Sequence, residues 1–64
     1  MFGTVIRFYK AFYFEIEVEG KRTLGALSSP LIVKNGEHCD KAFKPGDRVE
    51  LLPTGQYPSI IGAA

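Results

Sequence analysis

The sequence has one cysteine, no tryptophan and no long hydrophobic run. The single thiol, Cys39, cannot close an intramolecular disulfide, which is typical of proteins in a reducing compartment. No apolar segment approaches the roughly 20 residues of a transmembrane helix, and none resembles a signal-peptide core. We therefore expect a cytoplasmic protein that has no leader segment and makes no membrane contact.

Patterns for metal binding and catalysis are also missing. His38 and Cys39 are neighbours, but one histidine and one cysteine cannot complete a tetrahedral zinc site, and Glu37 and Asp40 would add ligands only in a cramped geometry. The sequence contains no paired-carboxylate, Ser-His-Asp or glycine-rich phosphate-loop spacing. We expect no enzymatic activity, no metal and no cofactor.

The length and composition indicate one small folded domain over residues 1–64. The chain is 45% hydrophobic and 23% charged, with a formal net charge of +1, which argues against disorder. A domain of this size buries only about 60% of the surface of its unfolded chain. Every apolar strand face must therefore contribute to the core.

The longest segment without glycine or proline runs over residues 4–19 and has strand periodicity. In its second half, four apolar residues alternate with four others, three of them glutamates. Because successive side chains of a strand point to opposite faces, this pattern predicts a β-ribbon with one dry and one wet face. The predicted dry face comprises Phe12, Phe14, Ile16 and Val18, and the wet face Tyr13, Glu15, Glu17 and Glu19. A weakly coded turn is expected near residues 9–11.

Turn signals divide the rest of the chain into three further strands. Gly20 marks a hairpin turn, and the third strand is predicted over residues 22–27. Pro45 and Gly46 form a turn before a fourth strand at 48–52, and a turn at 53–55 precedes a fifth at 57–62. The segment 31–46, with Leu31–Val33 and the turn pair Asn35-Gly36, is predicted as a short extended piece, a small hairpin or an irregular loop.

The sequence shows five strands, a long irregular insert between the third and the fourth, and no convincing helix. This order predicts an all-β fold, namely a small five-stranded Greek-key barrel of the OB type. An SH3-like barrel is the alternative, although its long loop usually separates the first two strands. The predicted core residues are Val5, Phe8, Phe14, Ile16, Val18, Leu24, Val49, Leu51 and Ile60.

Several segments resemble small OB-fold proteins of the cold-shock and translation initiation factor one kind, and together they span nearly the whole chain. They are Gly3-Thr4-Val5, Phe12-Tyr13-Phe14 and the segment FKPGDRVE over residues 43–50. Lys10-Ala11-Phe12-Tyr13-Phe14 is similar to the cold-shock K-G-F-G-F motif, with Ala11 and Tyr13 in place of its glycines. Residues 23–27, TLGAL, stand where the family carries V-F-V-H-F. A similar pattern is found in the small OB domain of ribosome-assembly GTPases.

The resemblance implies binding of single-stranded RNA or DNA, and the residues offer a surface for it. Single strands are held by aromatic rings that stack on bases and by cations that follow the phosphates. The first acidic residue is Glu15, so the chain up to Phe14 is basic and aromatic. We expect binding of modest affinity through Arg7, Tyr9, Lys10, Phe12, Tyr13, Lys21 and Arg22.

Two features favour a different function. The three glutamates Glu15, Glu17 and Glu19 share the predicted wet face with Tyr13 and would repel phosphates, and the pI of about 7.9 is low for a nucleic-acid-binding domain. The alternative is a protein-interaction module that self-associates as a homodimer or is associated with the ribosome or translation. Its apolar outer patch would include Leu31–Val33.

Overall fold

The computed structural model describes residues 1–28 and 41–64 of the chain. Most of the predicted insert lies outside the described residues, including Leu31–Val33, the Asn35-Gly36 turn and the His38-Cys39 pair. Within the described residues, no helix is long and apolar enough to cross a membrane.

Five strands make up the regular structure of the described chain. They are β1 (Phe2–Lys10), β2 (Tyr13–Val18), β3 (Lys21–Leu27), β4 (Arg48–Leu52) and β5 (Ser59–Ala63). The third and fourth strands lie almost where the turn signals predict them. The first strand begins two residues earlier than Thr4, and the fifth begins at Ser59 rather than at Tyr57, because Tyr57 and Pro58 belong to the preceding loop.

The strands close into a barrel in the order β1-β2-β3-β5-β4, with β4 pairing back onto β1. All neighbouring strands are antiparallel except β3 and β5, which pair in parallel at Ala26↔Ser59 and Leu27↔Ile60. This order confirms the predicted five-stranded Greek-key barrel and is that of an OB-like fold. A two-residue loop joins β1 to β2, whereas an SH3-like barrel would have its long loop there.

Two irregularities in β1 determine which of its side chains face the core. Val5 pairs with Ile16, but Arg7 pairs with Glu15, so Ile6 is an extra residue in the ladder, and a second shift leaves Tyr9 unpaired. Each extra residue reverses the inward and outward alternation. Arg7 therefore lies beside the outward Glu15, and the next residue, Phe8, pairs with the inward Phe14.

The first hairpin turn is displaced from the predicted position. Lys10 pairs with Tyr13, which leaves Ala11 and Phe12 as the loop, with a positive φ of 53° at Ala11. Phe12 is 45% exposed. The prediction that Phe12 lies on the dry face is therefore wrong, since strand alternation does not continue into a turn residue.

Two other predicted turns, at Gly20 and at Pro45-Gly46, are confirmed. Glu19 and Gly20 join β2 to β3, both with positive φ, as a two-residue hairpin turn of this twist requires. Before β4, Gly46 has a φ of 93° after Pro45, and the Asp47 N–H donates to the Lys44 carbonyl. This turn also contacts β1, because the Val5 N–H donates to the Asp47 carbonyl at 2.8 Å.

The core lies inside the barrel, and six of its predicted members are fully buried. They are Val5, Phe14, Ile16, Val49, Leu51 and Ile60. Phe8 and Val18 pack against this cluster from its margin. Phe43, which the sequence analysis did not include, is also buried, and its ring meets Phe14 edge to face at 5.7 Å.

Leu24 was predicted in the core, and this prediction is wrong. Leu24 pairs with the outward Glu15, while Gly25 pairs with Phe14 and is the β3 residue that faces the interior. A Cβ at Gly25 would lie 2.9 Å from Ile16 Cδ1, so the backbone there is pressed against the core. Because Gly25 faces inward, alternation places Leu24 on the outer surface.

Candidate nucleic-acid interface

The outer surface of β2 and β3 carries most of the residues that the sequence analysis selected. Tyr13, Glu15 and Glu17 alternate with the buried Phe14 and Ile16, so they face outward on β2. Across the ladder, Ala26, Leu24 and Arg22 pair with these three residues. We call this surface, with the two loops that border it, the β2–β3 outer face.

Three aromatic rings form a connected group at one end of this face, which we call the aromatic cluster: Phe12, Tyr13 and Tyr57. The rings of Phe12 and Tyr13 stack with centroids 4.5 Å apart and planes at 28°. Tyr57, from the loop between β4 and β5, meets Tyr13 edge to face at 6.0 Å. The cluster thus joins the β1–β2 loop, the start of β2 and the β4–β5 loop.

Tyr9 lies nearby with two cations against its ring. The Arg7 guanidinium carbon is 5.9 Å from the ring centroid, and the Lys10 Nζ is 5.5 Å from it. Both distances lie within the range of a cation–π interaction. Since Tyr9 is the extra residue of a bulge, its exposed ring has no partner across the ladder, and the next residue, Lys10, pairs with Tyr13 of the cluster.

Glu15 lies between two arginines from the neighbouring strands. Its Oε2 is 3.2 Å from Arg7 Nη2 on β1, and its Oε1 is 3.5 Å from Arg22 Nη1 on β3. The Glu15 side chain is only 19% exposed, whereas the side chains of Arg7 and Arg22 are 58% and 73% exposed. The three charges leave this spot with a net positive charge, and the two arginine side chains are its more exposed members.

Of the other two glutamates of the predicted acidic row, Glu17 shares the outer face of β2 with Glu15, as predicted, whereas Glu19 does not. Glu17 is exposed and pairs with Arg22 across the ladder. Glu19 lies in the hairpin turn at the far end of the ribbon, with a positive φ. The expected repulsive face is therefore interrupted by arginine on both neighbouring strands.

A cleft of about 290 Å³ opens beside the aromatic cluster. Its lining residues are Glu15, Arg22, Thr23, Leu24 and Tyr57. It combines an acidic, a basic, an aliphatic and an aromatic residue, whereas Thr23 pairs with the inward Ile16 and is directed to the other face of the ribbon. Such a mixture of one flat apolar wall and a few directed polar groups is typical of small-ligand sites.

The structure brings together six of the seven predicted site residues. Arg7, Tyr9, Lys10, Phe12, Tyr13 and Arg22 lie on or beside the β2–β3 outer face. Lys21 does not. It pairs with Val18, whose side chain packs on the core side, so Lys21 is directed to the opposite face of the ribbon. It is also about 16 Å along the strand from the cluster.

Sequence reasoning missed Tyr57 and Leu24 as site residues. Tyr57 was included in the fifth strand and Leu24 in the core, so neither was considered for a surface role. A signal for Tyr57 did exist: in an OB barrel the β4–β5 loop borders the face of β2 and β3. Among residues 1–28 and 41–64, no group of histidine, cysteine, aspartate and glutamate could hold a metal ion.

Comparison with known proteins adds no relative: no family model, no curated protein and no solved structure matches the chain.

Proposed function

We propose that this protein binds single-stranded RNA or DNA through the β2–β3 outer face. The observation that carries the proposal is the aromatic cluster of Phe12, Tyr13 and Tyr57, exposed or half-exposed and bordered by Arg7, Lys10 and Arg22. Stacking rings beside cations are what an unpaired strand needs. In OB folds, the surface of strands 2 and 3 with the two adjoining loops is where oligonucleotides bind.

The number of exposed aromatic rings limits the affinity that we expect for a single strand. Stacking contributes about 1–3 kcal/mol per base. Besides the three rings of the aromatic cluster, the exposed ring of Tyr9 has Arg7 and Lys10 beside it. Only a few bases can be stacked on so small a surface. The affinity we propose is therefore modest and dependent on salt, because the remaining attraction comes from exposed cations.

The ion pairs of Glu15 with Arg7 and Arg22 support binding of a single strand, although β2 also carries Glu17. A free carboxylate beside the rings would repel the phosphate backbone, but two guanidinium groups lie within 3.5 Å of the Glu15 carboxylate. Their exposed N–H groups offer donors to phosphate oxygens. The resemblance to cold-shock and initiation-factor proteins points to the same function, and we propose a cytoplasmic location and no enzymatic activity on the grounds given by the sequence.

A second candidate function is protein binding or self-association, and an apolar patch on the other side of the barrel favours it. Phe2, Leu52 and Ile61 are 53%, 48% and 36% exposed. They lie on the outer surface of the adjacent strands β1, β4 and β5, around Glu50, which pairs with both Phe2 and Gly62. Exposed apolar groups that share one surface are typical of protein contacts.

An amide chemical-shift titration distinguishes the two functions. The probe is a mixed-sequence single-stranded oligonucleotide at physiological ionic strength, where the Debye length is about 8 Å and nonspecific attraction is damped. We expect shifts at Tyr13, Glu15, Leu24 and Tyr57, with none at Phe2 and Leu52. An unmoved spectrum, together with a dimer in sedimentation, would contradict nucleic-acid binding and support the interaction module.

A further inference from the structure

The cleft beside the aromatic cluster differs from the rest of the β2–β3 outer face, because it contains a directed hydrogen-bonding group. We propose that this cleft is a subsite for a guanine base of the bound strand. The inference rests on the proposed single-strand binding and specifies which base the site selects. It is argued from three properties of the cleft: its size and walls, the acceptor geometry of Glu15, and the donors around it.

The size and walls suit one planar base. The cleft is shallow and open to solvent, and its volume of about 290 Å³ lies just below the usual range of ligand sites, which leaves room for one base. Leu24 and Tyr57 supply apolar surface, and Tyr57 touches Tyr13 edge to face at 6.0 Å. A base in the cleft would therefore continue the row of rings, with its neighbour in the strand on Tyr13 or Phe12.

The polar wall selects among the four bases. An ionised carboxylate has two oxygens and only accepts hydrogen bonds. Guanine is the base that offers two adjacent N–H donors, N1–H and the N2 amino group, on its Watson–Crick edge. Adenine, cytosine and uracil each place an acceptor next to their donor, and that acceptor would oppose the second oxygen of Glu15. Unstacked bases in single strands are commonly read on this edge.

The two arginines keep Glu15 in a defined position. Each carboxylate oxygen has one guanidinium contact, from Arg7 on one side and Arg22 on the other, so its orientation is held from both neighbouring strands. An oxygen of a carboxylate can accept more than one hydrogen bond, so both remain available to a base. Arg22 also lines the cleft, and its unused N–H groups are donors for an acceptor such as guanine O6.

The test compares oligonucleotides that differ in one base. The probes are labelled oligouridines of about seven nucleotides, a length within the span of an OB fold. Each carries one central guanine, adenine, inosine or 7-deazaguanine. Binding is measured by fluorescence anisotropy. We expect guanine to bind about tenfold more tightly than adenine, which corresponds to about 1.4 kcal/mol. Inosine, which lacks the N2 amino group, should lose most of this preference. 7-Deazaguanine, which keeps both donors, should retain it.

Glu15→Gln provides the matching change in the protein, with Glu17→Gln as its control. Both substitutions remove one negative charge from the same outer face of β2, but only Glu15 lines the cleft. We expect the ratio of guanine to adenine affinity, measured within each variant, to fall to about one in Glu15→Gln and to stay near tenfold in Glu17→Gln.

The outcomes separate the two proposals. Equal binding of guanine and adenine, an inosine that binds as well as guanine, or a preference that survives Glu15→Gln would overturn the guanine subsite and leave single-strand binding standing. Absence of binding to every oligonucleotide would overturn the proposed function itself.

Discussion

Tyr13 and Tyr57 meet edge to face on the outer surface of the barrel, with ring centroids 6.0 Å apart and planes at 77°. One begins β2 and the other precedes β5, so the contact depends on barrel closure. Tyr13 pairs with Ala26, Ala26 pairs with Ser59, and the Ala26 N–H donates to the Pro58 carbonyl at 3.0 Å. The short parallel ladder between β3 and β5 thus places the β4–β5 loop beside β2.

Replacing Tyr57 by alanine tests the contribution of this ring to binding. We expect Tyr57→Ala to weaken oligonucleotide binding by about 1–3 kcal/mol, or about 5- to 150-fold, because one stacking surface is lost. Phe2→Ala is the matched control, since Phe2 is an exposed aromatic residue on the opposite part of the barrel. Anisotropy titrations measure both. Equal losses in the two variants would show that the aromatic cluster is not the binding surface.

The two lysines that the sequence analysis grouped together should behave differently. Lys10 lies beside the Tyr9 ring and pairs with Tyr13, whereas Lys21 is directed to the other face of the ribbon. We expect Lys10→Gln to reduce the slope of log K against log salt concentration by about 0.7, the value for one phosphate contact on a single strand. Lys21→Gln should leave the slope unchanged. A slope that falls equally in both variants would contradict the location of the site.

Core packing can be tested at two neighbouring aromatic residues. Phe14 is fully buried and meets Phe8 and Phe43 edge to face at 5.3 Å and 5.7 Å. We expect Phe14→Ala to destabilise the fold by about 3–5 kcal/mol, as for other large buried side chains. Phe12→Ala, in the exposed turn, should change stability by less than about 1 kcal/mol. Urea unfolding followed by tyrosine fluorescence gives both values, and similar midpoints for the two variants would contradict the assigned core.

The turn at Ala11 carries backbone strain that glycine should relieve. Ala11 has a φ of 53°, and a left-handed conformation costs a residue with a Cβ about 1–2 kcal/mol. Part of the gain is lost because glycine is more flexible in the unfolded chain. We therefore expect Ala11→Gly to stabilise the protein by about 0.5–1 kcal/mol. Ala63→Gly, at the end of β5, should instead be neutral or destabilising. A lower urea midpoint for Ala11→Gly would argue against the positive φ.

Much of the fold could be predicted because it depends on local patterns. Alternation along β2 identified Phe14 and Ile16 as core residues, and both are fully buried. Gly20 and the Pro45-Gly46 pair marked turns because only a few residues tolerate their backbone conformations, and both turns are present. The number of strands, their order along the chain and the position of the insert pointed to the barrel type, and these are properties of the chain itself.

The failures occurred where alternation was interrupted or ambiguous. Phe12 was assigned to the dry face because the pattern of β2 was extended into the turn. Leu24 was assigned to the core, but the interior at that level is filled by Ile16 and Ile60, and only Gly25 fits against them. The space inside the barrel decided that Gly25 rather than Leu24 faces inward. That space is set by residues of other strands, so it cannot be inferred from the sequence of β3 alone.

The sequence by itself determined the strands, the turns and most of the core, because periodicity and backbone preference act over a few residues. Tertiary structure decided the candidate site. The bulge at Ile6 in β1 turned Arg7 toward Glu15, and the β2–β3 ladder placed Arg22 on the other side of Glu15. Closure of the barrel brought Tyr57 to the cleft. Each of these contacts joins residues from different strands, so its geometry depends on register and closure rather than on local sequence.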